Sequence, residues 1–470
     1  MVKLGRVLLT FAAAWGLLIW LCHGGLTVTQ PYQVEYGEGH MLGLAYYLGR
    51  GQPIYSPGSA PPYVYGAHLP LYLWLTSLFL GSTPSFLAAR LISFTSILTV
   101  LLASAAWLWK RQGPVSACAG VGFLLLHPLL LGWSPLARVD NLGFCFSVLA
   151  VLLARPRWSL PLCLLALFTK QSFVAAPLAL AAELGARRGI RFLAAYAVSA
   201  AVLLATVNQA FFQGRLPLMN NLVTDLPAGW HLWTTFGPTI FLLALLAGLC
   251  PLREPESRRL AWYSLASLLP VAAAAKQGAY YNYFLELHWA LSMLAALALS
   301  RRPGKWTATL AALQLGVGAT SHFPILESPV DYWRYETTAC LAGREPHWVT
   351  RMRGYDQLRE VLAAHPGPVL AEQCGNPLLF GREPIVCDCY ALFFDLARAG
   401  AWDPTPILEM LRRREISVVL IQRLDQSNLR VPVPILECIL ENYEVIGHIG
   451  KAGDYILVPK QAAKSSQPRP

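Results

Sequence analysis

Long apolar segments recur from the N-terminus to about residue 320, and short basic clusters separate them. The first segment, residues 7–26, is long enough to span a membrane and has no A-x-A cleavage site after it, so we expect a retained anchor. Only 13% of the 470 residues are charged, whereas soluble domains carry about 25%. The chain is therefore predicted to be a polytopic α-helical membrane protein. No nucleic-acid partner is expected despite the net charge of +11, because the basic residues sit where membrane orientation is set.

The basic clusters predict the orientation, because cytoplasmic loops carry an excess of Lys and Arg. Between successive clusters the apolar stretch is long enough for a pair of spans with a polar tip, which predicts about 11 spans. The N-terminus is then cytoplasmic and the region after Ser321 is extracytoplasmic. Residues 159–168 and 173–183 are short and are expected to be tilted or partial spans. The clusters are Lys110-Arg111, Arg155 with Arg157, Arg187-Arg188-Arg191, Arg253 with Arg258-Arg259, and Arg301-Arg302 with Lys305.

Residues 66–81 form an ambiguous segment, which is apolar, aromatic and proline-containing. A span here would move Lys110-Arg111 to the outside and break the charge pattern. We therefore predict an interfacial helix at the outer surface, where Tyr72 and Trp74 suit the aromatic belt.

The composition changes after about residue 325. Short apolar runs at residues 369–370, 385–386 and 418–421 are typical of strands, and helix-like stretches lie between them, which predicts a small α/β domain. We predict a membrane domain over residues 1–322, an extracytoplasmic α/β domain over 323–460, and a disordered polar tail over 461–470.

Three cysteines of the C-terminal region, Cys374, Cys387 and Cys389, lie close in sequence to Glu372 and resemble a metal cluster. A C-x-C on one strand would place both thiols on the same face, but no His lies nearby. A disulfide bond or simple buried thiols is the better interpretation in an oxidising compartment.

Polar residues collect at the tips that the topology places at the outer face. The loop after the first span carries Glu35, Glu38 and His40. Carboxylates surrounded by cations can support transfer of a group away from a phosphate, because a carboxylate base takes the proton of the acceptor and the cations stabilise the charge that develops on the phosphate. The other tip residues are His68, Arg90, Arg138, Asp140, Asn141, Lys170, Gln171, Lys276, Gln277, Tyr280, Tyr281 and Asn282.

These motifs resemble the GT-C class of membrane glycosyltransferases, in particular the protein O-mannosyltransferase and aminoarabinose transferase group, glycosyltransferase family 39. Residues 68–74, HLPLYLW, resemble that group's HPPLYYW stretch and depart from it at Leu69 and Leu73. Thr169-Lys170 resembles the TKG motif, with Gln171 in place of Gly. The other matches are Arg90 at the second span, Ala137-Arg138-Val139-Asp140-Asn141 at the second outer loop, and Lys276-Gln277-Gly278 before a late span. The resemblance covers roughly residues 1–321.

The resemblance implies an inverting enzyme that uses a polyprenyl-phosphate-linked sugar at the outer face of the cell membrane. The acceptor would be a glycan, a lipid or a protein. The family's acidic pair corresponds to Glu35-Tyr36-Gly37-Glu38, which leaves the base between Glu35 and Glu38. Glu38 is favoured because it directly precedes an expected helix start at Gly-His-Met-Leu.

The remaining roles follow from the same resemblance. Asp140 would orient the acceptor or help to bind a divalent cation, which is the one cofactor considered. The predicted substrate-binding residues are His68, Arg90, Arg138, Lys170, Gln171, Lys276, Tyr280 and Tyr281, of which His68, Arg138, Lys170 and Lys276 would hold the lipid phosphate.

Simpler interpretations stay open. Glu35 and Glu38 could be solvated loop charges, Asp140 could form a structural ion pair with Arg138, and Lys170 could extend to the interface. The alternative function is a transporter or lipid-carrier translocator, although transporters place their ionisable residues near the membrane midplane. A third possibility is a non-catalytic membrane scaffold.

Overall fold

The computed structural model describes residues 2–81, 83–211, 226–275, 279–323, 326–346, 349, 353–398, 400–425, 430–449 and 453–461. The chain forms two compact units. The first comprises Met1–Gln30, His68–Phe79 and Phe86–His347, and the second comprises Pro31–Ala67, Leu80–Ser85 and Trp348–Pro470. The second unit thus includes the loop after the first helix, which the sequence analysis assigned to the membrane domain.

Helices dominate the described residues. In chain order the α-helices are α1 (Val2–Thr29), α2 (Tyr36–Gly49), α3 (Leu71–Ser77), α4 (Phe86–Gln112), α5 (Pro114–Leu125), α6 (Pro128–Trp133), α7 (Val139–Leu153), α8 (Pro156–Thr169), α9 (Ala175–Leu184), α10 (Ala186–Phe211), α11 (Leu226–Gly248), α12 (Pro255–Ala266), α13 (Leu268–Ala272), α14 (Leu285–Arg301), α15 (Lys305–Thr320), α16 (Pro329–Asp331), α17 (Thr338–Leu341), α18 (Asp356–Ala364), α19 (Gly375–Leu379), α20 (Thr405–Arg412) and α21 (Val433–Asn442). Shorter 3-10 or π-helical turns lie at Tyr281–Phe284, Tyr332–Thr337, Arg353–Tyr355 and Ala391–Ala397.

Within the described residues, five helices are long and apolar enough to cross a membrane: Gly5–Thr29, Phe86–Gln112, Ala186–Val207, Gly229–Gly248 and Tyr281–Arg301. Shorter apolar helices lie at Pro114–Leu125, Val139–Leu153 and Ala175–Leu184. The predicted class, a polytopic helical membrane protein, is confirmed. The number of spans and their orientation stay predictions.

The interior of the first unit is built around α14, whose residues from Leu285 to Ala298 are buried. Tryptophans join the helices there, because each buries a large ring and finds a serine acceptor for its N–H. Trp289 Nε1 donates to Ser104 Oγ at 2.9 Å, and Trp20 Nε1 donates to Ser134 Oγ at 2.7 Å. Trp20 also stacks on Phe94 with ring centroids 4.2 Å apart, which ties α1 to α4.

Three predicted basic clusters meet at one end of this unit, as the charge pattern predicts. Ion pairs connect residues of these clusters to acidic residues at the end of α9 and at the start of α12. The pairs are Arg111–Glu256 at 3.4 Å, Arg259–Glu183 at 2.6 Å, and Arg301–Glu254. That this end faces the cytoplasm stays a prediction.

The ambiguous segment at residues 66–81 contains only the seven-residue helix α3. A helix of this length covers about 10 Å, which is far less than the hydrocarbon core of about 30 Å. The alternative of a full span is therefore wrong. An interfacial position stays a prediction.

The second unit contains a four-stranded mixed sheet with the order β1 (Val369–Ala371), β2 (Val418–Ile421), β4 (Tyr455–Pro459), β3 (Tyr443–His448). β1 and β2 are parallel, and β4 is antiparallel to both β2 and β3. Side chains of β2 alternate between the faces, so that Val419 and Ile421 pack with α20 and α21 whereas Val418 and Leu420 pack with α18. The predicted α/β domain is confirmed.

One expected strand, at residues 385–386, does not form. Its backbone makes only isolated bridges, between Val386 and Tyr63 and between Pro384 and Val369. The Tyr63 segment takes the place of a neighbouring strand, which sequence patterns local to residues 385–386 could not reveal.

Candidate functional site

The N-terminus of α2 carries both candidate bases. The sequence analysis expected this helix to start after Glu38, but it begins at Tyr36, with Glu35 as its N-cap. Glu35 Oε2 accepts from the Gly37 N–H at 2.9 Å, and Glu38 Oε2 accepts from the N–H groups of Val34 at 2.9 Å and of Glu35 at 3.3 Å. The expected start is wrong by about one turn because this capping box satisfies N–H groups that would otherwise lack partners.

The two acids differ in exposure. Glu38 is fully buried, and one of its carboxylate oxygens serves the helix cap. Glu35 is only half-buried. Water and an acceptor hydroxyl therefore reach Glu35 more easily than Glu38.

A buried carboxylate, Asp388, ties α2 to the C-terminal part of the second unit. The Tyr36 hydroxyl donates to Asp388 Oδ1 at 2.7 Å, and His40 Nδ1 lies 2.8 Å from Oδ2. Burial would raise the pKa of Asp388, but the His40 charge and the hydrogen bonds from His40, Tyr36 and the Ala391 N–H hold it below its usual range. Asp388 is therefore an ionised anchor for this helix.

A second charged group lies where β1 and β2 end. Glu372 directly follows β1, and its carboxylate pairs with Arg430 at 2.7 Å and accepts from the Gln422 N–H at 2.9 Å. The Arg430 guanidinium lies over the Tyr36 ring, 3.9 Å from its centroid. Asp454 is fully buried nearby, and burial together with the Glu372 charge raises the pKa of Asp454 to about 8. Sequence reasoning missed this group, because no motif marks Arg430 or Asp454.

The first unit brings together polar residues from three separate stretches of the chain around Asp140. Lys170 Nζ lies 2.7 Å from Asp140 Oδ1, and Asn282 Nδ2 donates to the same oxygen at 2.7 Å. Arg138 Nε lies 3.9 Å from Oδ2. Asp140 is in the first turn of α7, Lys170 directly follows α8, and Asn282 is in the turn before α14, so the ends of three helices converge here.

The structure brings Asp140, Arg138 and Lys170 together. Asp140 and Lys170 are buried, whereas Arg138 remains partly exposed. Among the contacts described around Asp140, two cations lie beside one carboxylate, an arrangement that can attract an additional anion. The roles of these residues in substrate binding stay predictions.

Aromatic rings surround the two cations. Lys170 Nζ lies 4.8 Å from the centroid of Tyr283, and the Arg138 guanidinium lies 5.1 Å from that of Trp133. Tyr280 stacks on Trp133 with centroids 5.9 Å apart. Such rings hold cations in place and also offer flat surfaces to a sugar or a prenyl chain.

Arg90 has a different environment. It is fully buried, donates to the carbonyl groups of Thr27 at 3.0 Å and of Gln30, and lies over the Phe86 ring at 4.7 Å. These carbonyls lie at the end of α1, where helix carbonyls lack internal partners. The structure thus gives Arg90 a helix-closing role, and its substrate-binding role stays a prediction.

The other predicted binding residues are placed as follows. His68 and Gln171 are half-buried, and Tyr281 is buried against Phe236 with centroids 5.5 Å apart. Lys276 lies outside the described residues.

A divalent cation does not fit the carboxylates of the described residues. No group of three or more His, Cys, Asp or Glu side chains among them could hold a metal ion. At Asp140, the Oδ1 oxygen already pairs with the Lys170 ammonium.

The fold is that of the GT-C membrane glycosyltransferases, so the predicted resemblance is confirmed at the level of fold. Two solved structures of ArnT from Cupriavidus metallidurans align over nearly the whole chain. The apo form has a TM-score of 0.55 at 13% identity and covers 97% of this chain and 98% of its own. The form bound to undecaprenyl phosphate has a TM-score of 0.56 at 14% identity and covers 96% and 98%.

At these identities the likeness shows the fold alone. The apo oligosaccharyltransferase of Archaeoglobus fulgidus aligns with a TM-score of 0.46 at 12% identity, over 96% of this chain and 74% of its own. Neither a protein-family model nor a curated protein sequence matches the chain.

Proposed function

We propose that this protein is an inverting glycosyltransferase. It takes a sugar from a polyprenyl-phosphate donor and transfers it to a glycan, lipid or protein acceptor at the outer face of the cytoplasmic membrane. The fold supports this, because ArnT, which shares it, binds undecaprenyl phosphate. Donor, acceptor and orientation are all part of the proposal.

The observation that carries the proposal is the net positive cluster at Asp140. Lys170 and Arg138 would hold the phosphate of the lipid carrier, and Asp140 would position Lys170 through their 2.7 Å contact. When the sugar leaves, negative charge develops on the phosphate, and prearranged cations in a buried site stabilise that charge strongly.

An apolar groove close to this cluster suits the lipid tail. It has a volume of about 400 Å³, and its walls from α3, α8 and α10 include Trp74, Leu164, Phe168 and Leu203. Phe168 precedes Lys170 by two residues, so the C-terminal end of α8 contributes to the groove and leads directly into the cation. A prenyl chain in this groove would supply binding free energy remote from the reacting carbon, at roughly 25 cal/mol per Å² of buried apolar area.

We infer that Glu35 serves as the base better than Glu38, because it is the more exposed of the two. In the proposed step the carboxylate takes the proton of the acceptor hydroxyl. The acceptor oxygen then bonds to the anomeric carbon from the face opposite the phosphate, and the bond from that carbon to the phosphate oxygen breaks. One displacement of this kind inverts the anomeric centre.

Lipid binding tests the phosphate site. The full-length protein is titrated with undecaprenyl phosphate and with undecaprenol, which has the same tail without the phosphate. The wild type should bind the phosphate more tightly, and Lys170→Met should weaken phosphate binding by about tenfold or more while leaving undecaprenol binding unchanged. Lys170→Arg keeps the charge, and Lys305→Met removes an exposed lysine at the start of α15, so both should retain phosphate binding. Equal binding of the two lipids by the wild type would refute the site.

Turnover separates an enzyme from a transporter. Proteoliposomes receive a panel of undecaprenyl-phosphate-linked hexoses and pentoses, and release of undecaprenyl phosphate is followed. Glu35→Gln should abolish release while undecaprenyl phosphate binding persists. Movement of the intact lipid-linked sugar between leaflets without sugar release would instead favour the translocator.

A further inference from the structure

Two thiols of the second unit meet beneath α2. A Cβ atom built on Gly43 would lie 2.5 Å from the sulfur of Cys387 and 3.8 Å from the sulfur of Cys374. Both sulfurs therefore lie against the same glycine of α2. Only the missing side chain at Gly43 leaves room for the pair.

The backbone on either side of this pair is held in place. Cys374 directly precedes α19, and the Cys387 N–H donates to the Tyr63 carbonyl at 3.0 Å. The Ile385 N–H donates to the Val369 carbonyl at 2.8 Å, which fixes the approach to Cys387 from the sheet. Anchored backbone thus holds both sulfurs against one position of α2, and this shared position makes the two thiols candidates for a disulfide.

The third cysteine points elsewhere. Residues 387–389 do not form a strand, so the two thiols of the C-x-C do not share a face as the sequence analysis expected. The Cys389 thiol instead donates to the Ala371 carbonyl at 3.6 Å. All three cysteines are buried thiols in the structure.

We propose that Cys374 and Cys387 are joined by a disulfide bond in the exported protein and that Cys389 remains a thiol. This rests on the proposed function, because the second unit must face the oxidising side of the membrane. The bond closes residues 374–387 into a loop that contains α19, and it presses against Gly43 of α2.

The bond forms by exchange with a protein disulfide of the thiol-oxidase class. The Cys387 thiolate attacks that disulfide and gives a mixed disulfide, and the Cys374 thiolate then displaces the oxidase sulfur. The oxidase gains two electrons and two protons and leaves as a dithiol.

Differential alkylation of the full-length protein tests this assignment. Membranes are quenched in acid to stop thiol exchange, and free thiols are alkylated with isotopically light N-ethylmaleimide. The disulfides are then reduced, and the thiols that this releases are alkylated with the isotopically heavy reagent. Cys374 and Cys387 should carry the heavy label and Cys389 the light one. In Cys374→Ser, Cys387 should become light, whereas the matched control Cys389→Ser should leave both partners heavy.

Alkaline phosphatase fused to the C-terminus, which is active only after export, reports the side of the membrane. Light label at Cys374 and Cys387 with an active fusion would overturn the disulfide while the proposed orientation stands. Light label with an inactive fusion would overturn both. If Cys374 is still found in a disulfide-linked peptide in the Cys387→Ser variant, its partner is Cys389 and the proposed pairing is wrong.

Loss of the bond in Cys374→Ser should also lower the Tm by an amount on the order of 5 °C.

Discussion

Asp454→Asn should stabilise this protein, and increasingly so as the pH rises. Asp454 is fully buried, and burial with the neighbouring Glu372 charge raises its pKa from 3.8 to about 8, although the Arg430 charge opposes the rise. Asn has nearly the same shape and carries no charge at any pH, so it never has to ionise in this site.

The direction of the pH effect follows from the two pKa values of Asp454. Its pKa in the folded state, about 8, is above the ordinary value of 3.8. Between these values the unfolded chain has released the proton and the folded chain still holds it. The free energy of unfolding is therefore highest below about pH 4 and falls as the pH rises to about 8.

The size of the effect can be worked from the same values. Each pH unit inside this window lowers the free energy of unfolding by up to about 1.4 kcal/mol, and the whole window corresponds to about 6 kcal/mol. Asp454→Asn lacks this contribution. The Tm of the variant relative to the wild type should therefore rise by roughly 3–5 °C per pH unit.

The assay is thermal unfolding of the full-length protein in detergent at one scan rate, from about pH 5 to about pH 8. Glu372→Gln is the matched control, because it removes the charge that raises the pKa of Asp454 and leaves Arg430 in place. Its Tm should fall with pH over a lower range than that of the wild type. A constant difference in Tm between Asp454→Asn and the wild type across the whole range would refute the argument.

Four further substitutions test the helix ends and the close packing of α2. Gly39→Ala should destabilise the protein by about 1–3 kcal/mol, seen as a lower Tm, because its Cβ would lie 2.7 Å from the backbone nitrogen of Gly375. Arg90→Met should lower the stability by about 2–4 kcal/mol, since buried carbonyls at the end of α1 lose their donor, and an unchanged Tm would contradict the helix-closing role. Glu38→Gln should lower the Tm more than Glu35→Gln, because Glu38 is buried and caps the helix. Glu35→Gln should have the larger effect on sugar release. A larger loss of sugar release in Glu38→Gln would return the base assignment to Glu38.

The membrane class and the α/β character of the C-terminal region could be predicted from the sequence. Hydropathy acts through runs of adjacent residues, so the long apolar helices and β2 with its flanking helices follow from local patterns. The predicted topology places Asp140 and Lys170 at outer tips and the family motifs mark both, but no sequence pattern pairs them, and their 2.7 Å contact is set by the tertiary structure.

Only the tertiary structure decided how the polar side chains are used. Glu35 and Glu38 cap a helix that starts a turn earlier than expected, and Arg90 is committed to carbonyls of another helix. Asn282 reaches Asp140 across 142 positions of the chain, and Cys387 lies against Gly43 with Cys374 rather than with Cys389, its neighbour in sequence. The apolar pattern of a segment depends on residues within a few turns, so the sequence by itself determines it. The partner of a buried charge or thiol depends on which distant backbone folds against it, and this is set only when the whole chain packs.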